Sequence, residues 1–328
     1  MAELFKNYIK AVGKGHKSGR YLTQSEAQDA MLQMLQQKAT PEQVGALLML
    51  LRVREESVEE LAGFLTAARQ CVDSDIAALD CIDLDIGCYA GKRRHLPWFI
   101  LAVKALSQQG YRVLLHGTAE PESQRLYLKT VFEALNWPIA QNAQDIEQHI
   151  KATGFAYVDL KTIHPSLDAL IQMRSLFGLR SCANTLARML NPTQAPFSYH
   201  GVYHRDFDQR HAEVAALLVD KNVSCIRGEG GEVEINPERS VNVHIARDGE
   251  QTVAEIPTQL SQWQIKPREL SPEDLLVFWQ KTDQDSTDCY AYAAVTATMA
   301  SMLILIEGLN VEDALVKAKA IWHNRTIN

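Results

Sequence analysis

The spacing of apolar residues changes along the chain, and each change marks a change of structure. From residue 1 to about 70 apolar positions recur at helical intervals. Ser25 can cap a segment rich in Ala, Met, Leu and Gln, and Thr40-Pro41-Glu42 opens the next helix with a cap followed by proline at the first helical position. Through Gly45, Leu47, Leu48, Leu51 and Val53 that helix is apolar on nearly every side. Such a helix is buried between others or in a subunit interface. Ser57 begins a third helix: Glu60 completes a capping box, and Leu61, Phe64 and Leu65 share one face.

From residue 80 the pattern becomes short apolar runs separated by helical stretches. Ile82 to Ile86, Trp98 to Gln109, Tyr111 to Leu115 and Ser123 to Leu135 alternate as strand, helix, strand, helix, the mark of βαβ units and a parallel sheet. Further strands are expected at Phe155 to Leu160, Phe197 to Tyr203, Ser224 to Ile226, Val241 to Ala246 and Gln251 to Ile256. Residues 165 to 190 read as helical and are expected to fold back onto the N-terminal helices. Ala291 to Trp322 reads as two helices, the first crowded with Ala, Met, Leu and Ile.

Composition narrows the class. With 328 residues, 46% hydrophobic and 22% charged, the chain has material for two domains and a sizeable core. No window approaches the roughly 18 consecutive apolar residues of a membrane span, and no signal peptide is evident, so a cytoplasmic protein without membrane contact is expected. Six cysteines (Cys71, Cys81, Cys88, Cys182, Cys225, Cys289) form no C-x-x-C pair and are read as reduced thiols.

Several phrases then converge. ATPEQVGALLMLLRVREESVEELAGFLTAAR, LLHGTAE, and HPSLDALIQMRSLFGLRSCANTLARMLNP followed by GVYH resemble the anthranilate phosphoribosyltransferase family, glycosyltransferase family 3. The IGCYAGKRRH stretch, in the place of the family's glycine-rich signature, resembles its divergent YbiB-like branch. The resemblance implies an α/β fold: a small helical domain (residues 1–74 and 163–192) plus a large α/β domain (75–162 and 193–328) with a mostly parallel central sheet. It also implies a homodimer through the helical domain. For the Val44 to Val53 helix two readings stay open, subunit seam or core of its own domain.

A phosphoribosyltransferase must hold a pyrophosphate, bring Mg²⁺ to the leaving group and stabilise a cationic sugar. Glycines let backbone N–H groups cradle phosphate oxygens. Against the family's loop, roughly GTGGDG before an Asn-x-Ser-Thr helix start, only Gly87 and Gly91 remain. Cys88 and Tyr89 add bulk, and Pro97-Trp98 stand in place of the small hydroxyl residues. The family's Lys-His-Gly-Asn becomes Leu115-His116-Gly117-Thr118. Near its Gly-Ser-Ala-Asp phrase stand Pro121, Arg125 and Lys129, and its metal-side Asp-Glu pair becomes Val233-Glu234. One carboxylate is poor support for Mg²⁺. Arg180, Asn184 and His164-Pro165 are retained. Arg180 either meets an acceptor carboxylate, as the resemblance implies, or caps the Met173 to Phe177 helix. His116 is either a catalyst or a hydrogen-bonded structural residue.

Charge completes the reading. The net charge is −7, yet residues 1–20 carry +4 and residues 90–130 carry +5, against five aspartates and no basic residue in 73–85. Segregation of this kind can make a basic groove on an acidic protein. Lys92-Arg93-Arg94 and the loop bearing Lys14, Lys17 and Arg20 are the candidate phosphate contacts, with Tyr89 and Trp98 as flanking stacking or core residues. Alternatively both runs are solvated surface loops. The YbiB-like branch is associated with sequence-independent nucleic-acid binding. The expectation is therefore a non-catalytic nucleic-acid-binding protein without cofactor, on a phosphoribosyltransferase scaffold. The alternative is a transferase with an altered acceptor, using phosphoribosyl pyrophosphate and Mg²⁺ with the retained Gly87, His116, Gly117, Arg180 and Glu234.

Overall fold

Capping fixes where the first helices begin. The computed structural model describes residues 2–15, 18–121, 123–265, 267, 269–281 and 289–327. Its helical layer opens with α1 (Ala2–Gly13), α2 (Gln24–Leu35), α3 (Pro41–Arg54), α4 (Val58–Arg69) and the single turn α5 (Ser74–Ala77). The hydroxyls of Thr23, Thr40 and Ser57 accept the amides of Glu26, Gln43 and Glu60, whose side chains accept the cap amides in return. The cap of α2 is thus Thr23. Ser25 lies inside the first turn, its hydroxyl 3.2 Å from that of Thr23.

The chain then alternates through β1 (Leu84–Cys88), α6 (Phe99–Gln108), β2 (Val113–Gly117), α7 (Leu128–Ala134), α8 (Ala143–Thr153) and β3 (Phe155–Asp159). It returns to the helical layer as α9 (Leu160–Ile163), α10 (Pro165–Gln172), α11 (Arg174–Phe177) and α12 (Ala183–Met189). Next come β4 (Phe197–Val202), α13 (Phe207–Leu217), β5 (Asn222–Arg227), β6 (Val241–Arg247), β7 (Glu250–Ile256), α14 (Glu273–Trp279), α15 (Tyr290–Glu307) and α16 (Val311–His323). The seven strands lie in the order β3-β2-β1-β4-β5-β6-β7. The first five are parallel, and β6 and β7 are antiparallel additions at one edge. All seven expected strands are present. The helices α8, α13 and α14 were not anticipated.

Strand alternation splits the apolar residues between two cores. Val113 and Leu115 pack with α6, α15 and α16 on one face. Leu114, Ala156 and Val158 belong to the same cluster as Phe64 and Leu65 of α4, so the helical layer shares its core with the other face of the sheet. Helix α15 corrects one expectation, because it has the length and hydropathy of a membrane span. Its residues Tyr290 to Leu305 are nevertheless buried within the chain, as a core helix between sheet and outer helices. In α3, Val44, Leu47, Leu48 and Leu51 are buried inside their own chain, while Ala46 and Val53 face outward. All six cysteines are free.

Candidate active site

The order of strands reverses at β1, which has β2 on one side and β4 on the other. In open α/β sheets the crevice beyond the carboxyl ends of the strands at such a point is where ligands bind. The loop leaving β1 carries the glycine-poor stretch there. Tyr89 does not open the crevice to solvent: it is 1% exposed, and its hydroxyl lies 2.6 Å from Nδ1 of His116. The two remaining small residues of the strand ends serve packing. A Cβ on Gly117 would stand 2.4 Å from the carbonyl oxygen of Cys88, and one on Gly87 3.0 Å from the Cα of Arg188. Gly91 has φ +67°, a conformation side chains disfavour.

The backbone cradle formed by this loop is occupied from within the protein. The amides of Ala90 and Gly91 both donate to Oε1 of Glu232, the former at 2.7 Å. Nζ of Lys92 donates to Glu229 and to Glu234, each at 2.6 Å. The other oxygen of Glu234 accepts the amide of Phe99 at 2.9 Å, at the N-terminus of α6. A carboxylate thus takes the place that a helix N-terminus and loop amides offer to an external anion. Burial works against the charge of Lys92, but Glu234 and Glu229 outweigh it and its pKa is raised. Burial pushes Glu234 up to about 7 against the pull of Lys92. It also raises Glu232, against the N–H of Gly91 and the charge of Arg188.

A second internal carboxylate fills the side of the crevice toward α12. Glu120, three residues beyond β2, accepts from Arg174, from Nη2 of Arg180 at 2.7 Å and from Nδ2 of Asn184 at 2.6 Å. Asn184 is oriented by the amide of Ser181, which donates to its Oδ1 at 3.2 Å. Below these groups a buried polar chain crosses the strands. Nε2 of His116 lies 3.1 Å from Asp85, Ser198 donates to Asp85 at 3.3 Å, and Ser198 lies 2.9 Å from His200. Burial depresses His200 to about 3, so its ring is neutral at neutral pH.

The residues singled out in the sequence therefore separate. Lys92 is 1% exposed and cannot be one of three surface cations. Arg93 and Arg94 are exposed. Lys14 and Arg20 are exposed on the loop packed against α1 and α3, where Arg20 pairs with Glu26 at 2.6 Å; Lys17 lies outside the described residues. Arg180 and Asn184 line one small cavity, whereas His116 and Glu234 are fully buried and Gly87, Gly91 and Gly117 are packed against neighbouring residues. The acids Glu120, Glu229 and Glu232 were missed. For Glu229 and Glu232 the signal was the run Glu229-Gly-Gly-Glu232-Val-Glu234, since acids that become buried need partners; Glu120 carried no such signal. Among the described residues no group of three or more His, Cys, Asp or Glu is disposed to hold a metal ion. With Glu234 engaged by Lys92, the crevice does not fit Mg²⁺.

Comparison with known proteins agrees with the helical and α/β layers of the fold. Residues 6–71 match the helical bundle domain of a glycosyl transferase family, and residues 129–324 match the α/β domain of a glycosyl transferase family. An anthranilate phosphoribosyltransferase of Methylocella silvestris is 30% identical over 216 residues, covering 65% of this chain and 61% of that protein; the match thus spans less than two thirds of that relative. One of Geobacillus kaustophilus is 26% identical over 303 residues, 92% of this chain and 86% of that one. The structure of the Saccharomyces cerevisiae enzyme in complex with phosphoribosyl pyrophosphate and Mg superposes with a TM-score of 0.76 at 17% identity, covering 98% of this chain and 94% of that one. These relatives overturn the nucleic-acid expectation: they are phosphoribosyltransferases, and the basic run that motivated it is divided between interior and surface. The chain belongs to glycosyltransferase family 3, the family of the anthranilate phosphoribosyltransferases.

Proposed function

We propose that the protein is a phosphoribosyltransferase relative whose reaction site is occupied by its own side chains. While they stay in place, Mg²⁺-dependent transfer from phosphoribosyl pyrophosphate does not proceed at this crevice. One observation carries the reading: Lys92 is held by Glu229 and Glu234 at 2.6 Å each, and Glu234 is the acid that the family resemblance assigns to the metal. Two features support it. Glu232 satisfies the amides of Ala90 and Gly91, and Glu120 satisfies Arg174, Arg180 and Asn184. Displacing them would strip buried charges of their partners, at a cost of several kcal/mol for each such pair.

A second reading, a transferase with an altered acceptor, has family membership behind it and one structural feature. Arg180 and Asn184 form a carboxylate clamp, and the side chains of Arg174 and Arg180 keep 25% and 29% of their exposure. That reading requires Glu120 to leave the clamp and Lys92 to give up two carboxylates. Pyrophosphate release from phosphoribosyl pyrophosphate with Mg²⁺, assayed over a panel of aromatic and heterocyclic acceptors, separates the two. The self-occupied site yields no release above the protein-free rate, and release with any acceptor supports the second reading. A homodimer is also proposed, through the outward side of the helical layer. Its support is the exposure of Val53, at 79%, on α3 and of Leu4, at 59%, on α1.

A further inference from the structure

One strand along from the filled crevice, a separate cavity of about 330 Å³ opens between the ends of β4 and β5 and the start of β6. Arg227 is the last residue of β5, Arg239 follows the turn after it, and Arg205 lies on the loop between β4 and α13. All three line the cavity. None of the cavity's residues belongs to the groups that fill the crevice.

The three guanidinium groups differ from the paired arginines of the chain. Arg20, Arg69, Arg112 and Arg180 each have a carboxylate oxygen within 2.8 Å. Among the described residues, Arg205, Arg227 and Arg239 have no carboxylate within ion-pair distance. Arg239 donates through Nη2 to the carbonyl of Arg227 at 3.3 Å, and its Nε is buried with no partner. Burial, then the nearby charge of Arg227, depress its pKa, and Glu229, which is engaged by Lys92 at 2.6 Å, offsets them only in part, so two cations are held together at a cost that a closer anion would relieve. The acids present do not supply it: Asp208 lies 3.6 Å from Nε2 of His244, and Asp206 is exposed. The N-terminus of α13, which no side chain caps, adds its positive end to the same cavity.

We propose that this cavity binds a small phosphate-bearing anion through Arg205, Arg227 and Arg239. Guanidinium forks match phosphate geometry bidentately, and a phosphate group offers enough acceptor oxygens for three forks at once. The volume accommodates a phosphate with a small organic group attached. The site is independent of the proposed function, so either can fail alone.

The test is calorimetric titration of the full chain with inorganic phosphate in a phosphate-free buffer at constant ionic strength. Saturable binding is expected, weakened roughly tenfold or more by Arg239→Gln and by Arg227→Gln. Arg94→Gln, on the loop after β1, should leave it unchanged. Arg205→Gln alters only an exposed loop side chain and keeps the test decisive should the half-buried variants fold poorly; it too should weaken binding. Heats that never saturate, or the same affinity in wild type and Arg205→Gln, would overturn the site.

Discussion

A lysine at 1% exposure keeps its charge only through its partners, and Lys92 has two, Glu229 and Glu234. Removing it leaves both carboxylates without a counterion, so Lys92→Met should lose about 3–5 kcal/mol of unfolding free energy in urea titrations. Arg94→Met, at an exposed position two residues on, should stay within about 0.5 kcal/mol; equal stability of the two variants would contradict the buried pairing. His164 gives a prediction in pH. Its Nδ1 accepts the amide of Leu167 at the start of α10 and its Nε2 faces the carbonyl of Ala68 at 3.1 Å. Burial lowers its pKa to about 4, so between 4 and the ordinary value near 6.5 the unfolded chain binds more protons than the folded one. The stability contributed by His164 is therefore complete above pH 6.5 and lost as pH falls toward 4. The gap in stability between wild type and His164→Gln should narrow by about 2 kcal/mol from pH 7.5 to pH 5. A gap that stays constant over that range would mean the ring is not held neutral.

At the level of elements, the most demanding contact is between α2 and α4. A Cβ on Gly63 would stand 2.2 Å from the carbonyl oxygen of Gln24, a backbone atom that cannot swing aside. Gly63→Ala should force the helices apart and cost roughly 1–3 kcal/mol or more, read as a fall in the urea midpoint. Capping boxes and apolar spacing made α3 and α4 legible, and all seven strands stood out as short runs between turns. What spacing could not decide was which side of α3 faces what. Leu48 is 0% exposed, so an acidic residue there would disrupt the chain's own core and say nothing about a partner. Val53→Glu is the informative change: it should shift a dimer to monomer in sedimentation without lowering the melting temperature. A wild type already monomeric at micromolar concentration would remove the dimer.

Over the whole molecule, the sequence displays the scaffold more openly than the state of its site. The missing glycines and the bulk of Tyr89 announced a changed phosphate loop, because they are local features of one segment. The replacement of external ligands by internal ones was hidden: Lys92 meets Glu229 and Glu234, and Ala90 meets Glu232, across more than 130 residues of chain. A basic run followed by surface arginines reads as one patch in sequence, yet the isolated bridge between Lys92 and Leu126 turns its first member inward. The central claim is that these internal charges exclude the family's donor and metal together. It is tested most directly by titrating the wild-type protein with phosphoribosyl pyrophosphate in the presence and absence of Mg²⁺ and measuring the heat of binding. No saturable heat that depends on Mg²⁺ is expected. A saturable, Mg²⁺-dependent isotherm at micromolar ligand would contradict it.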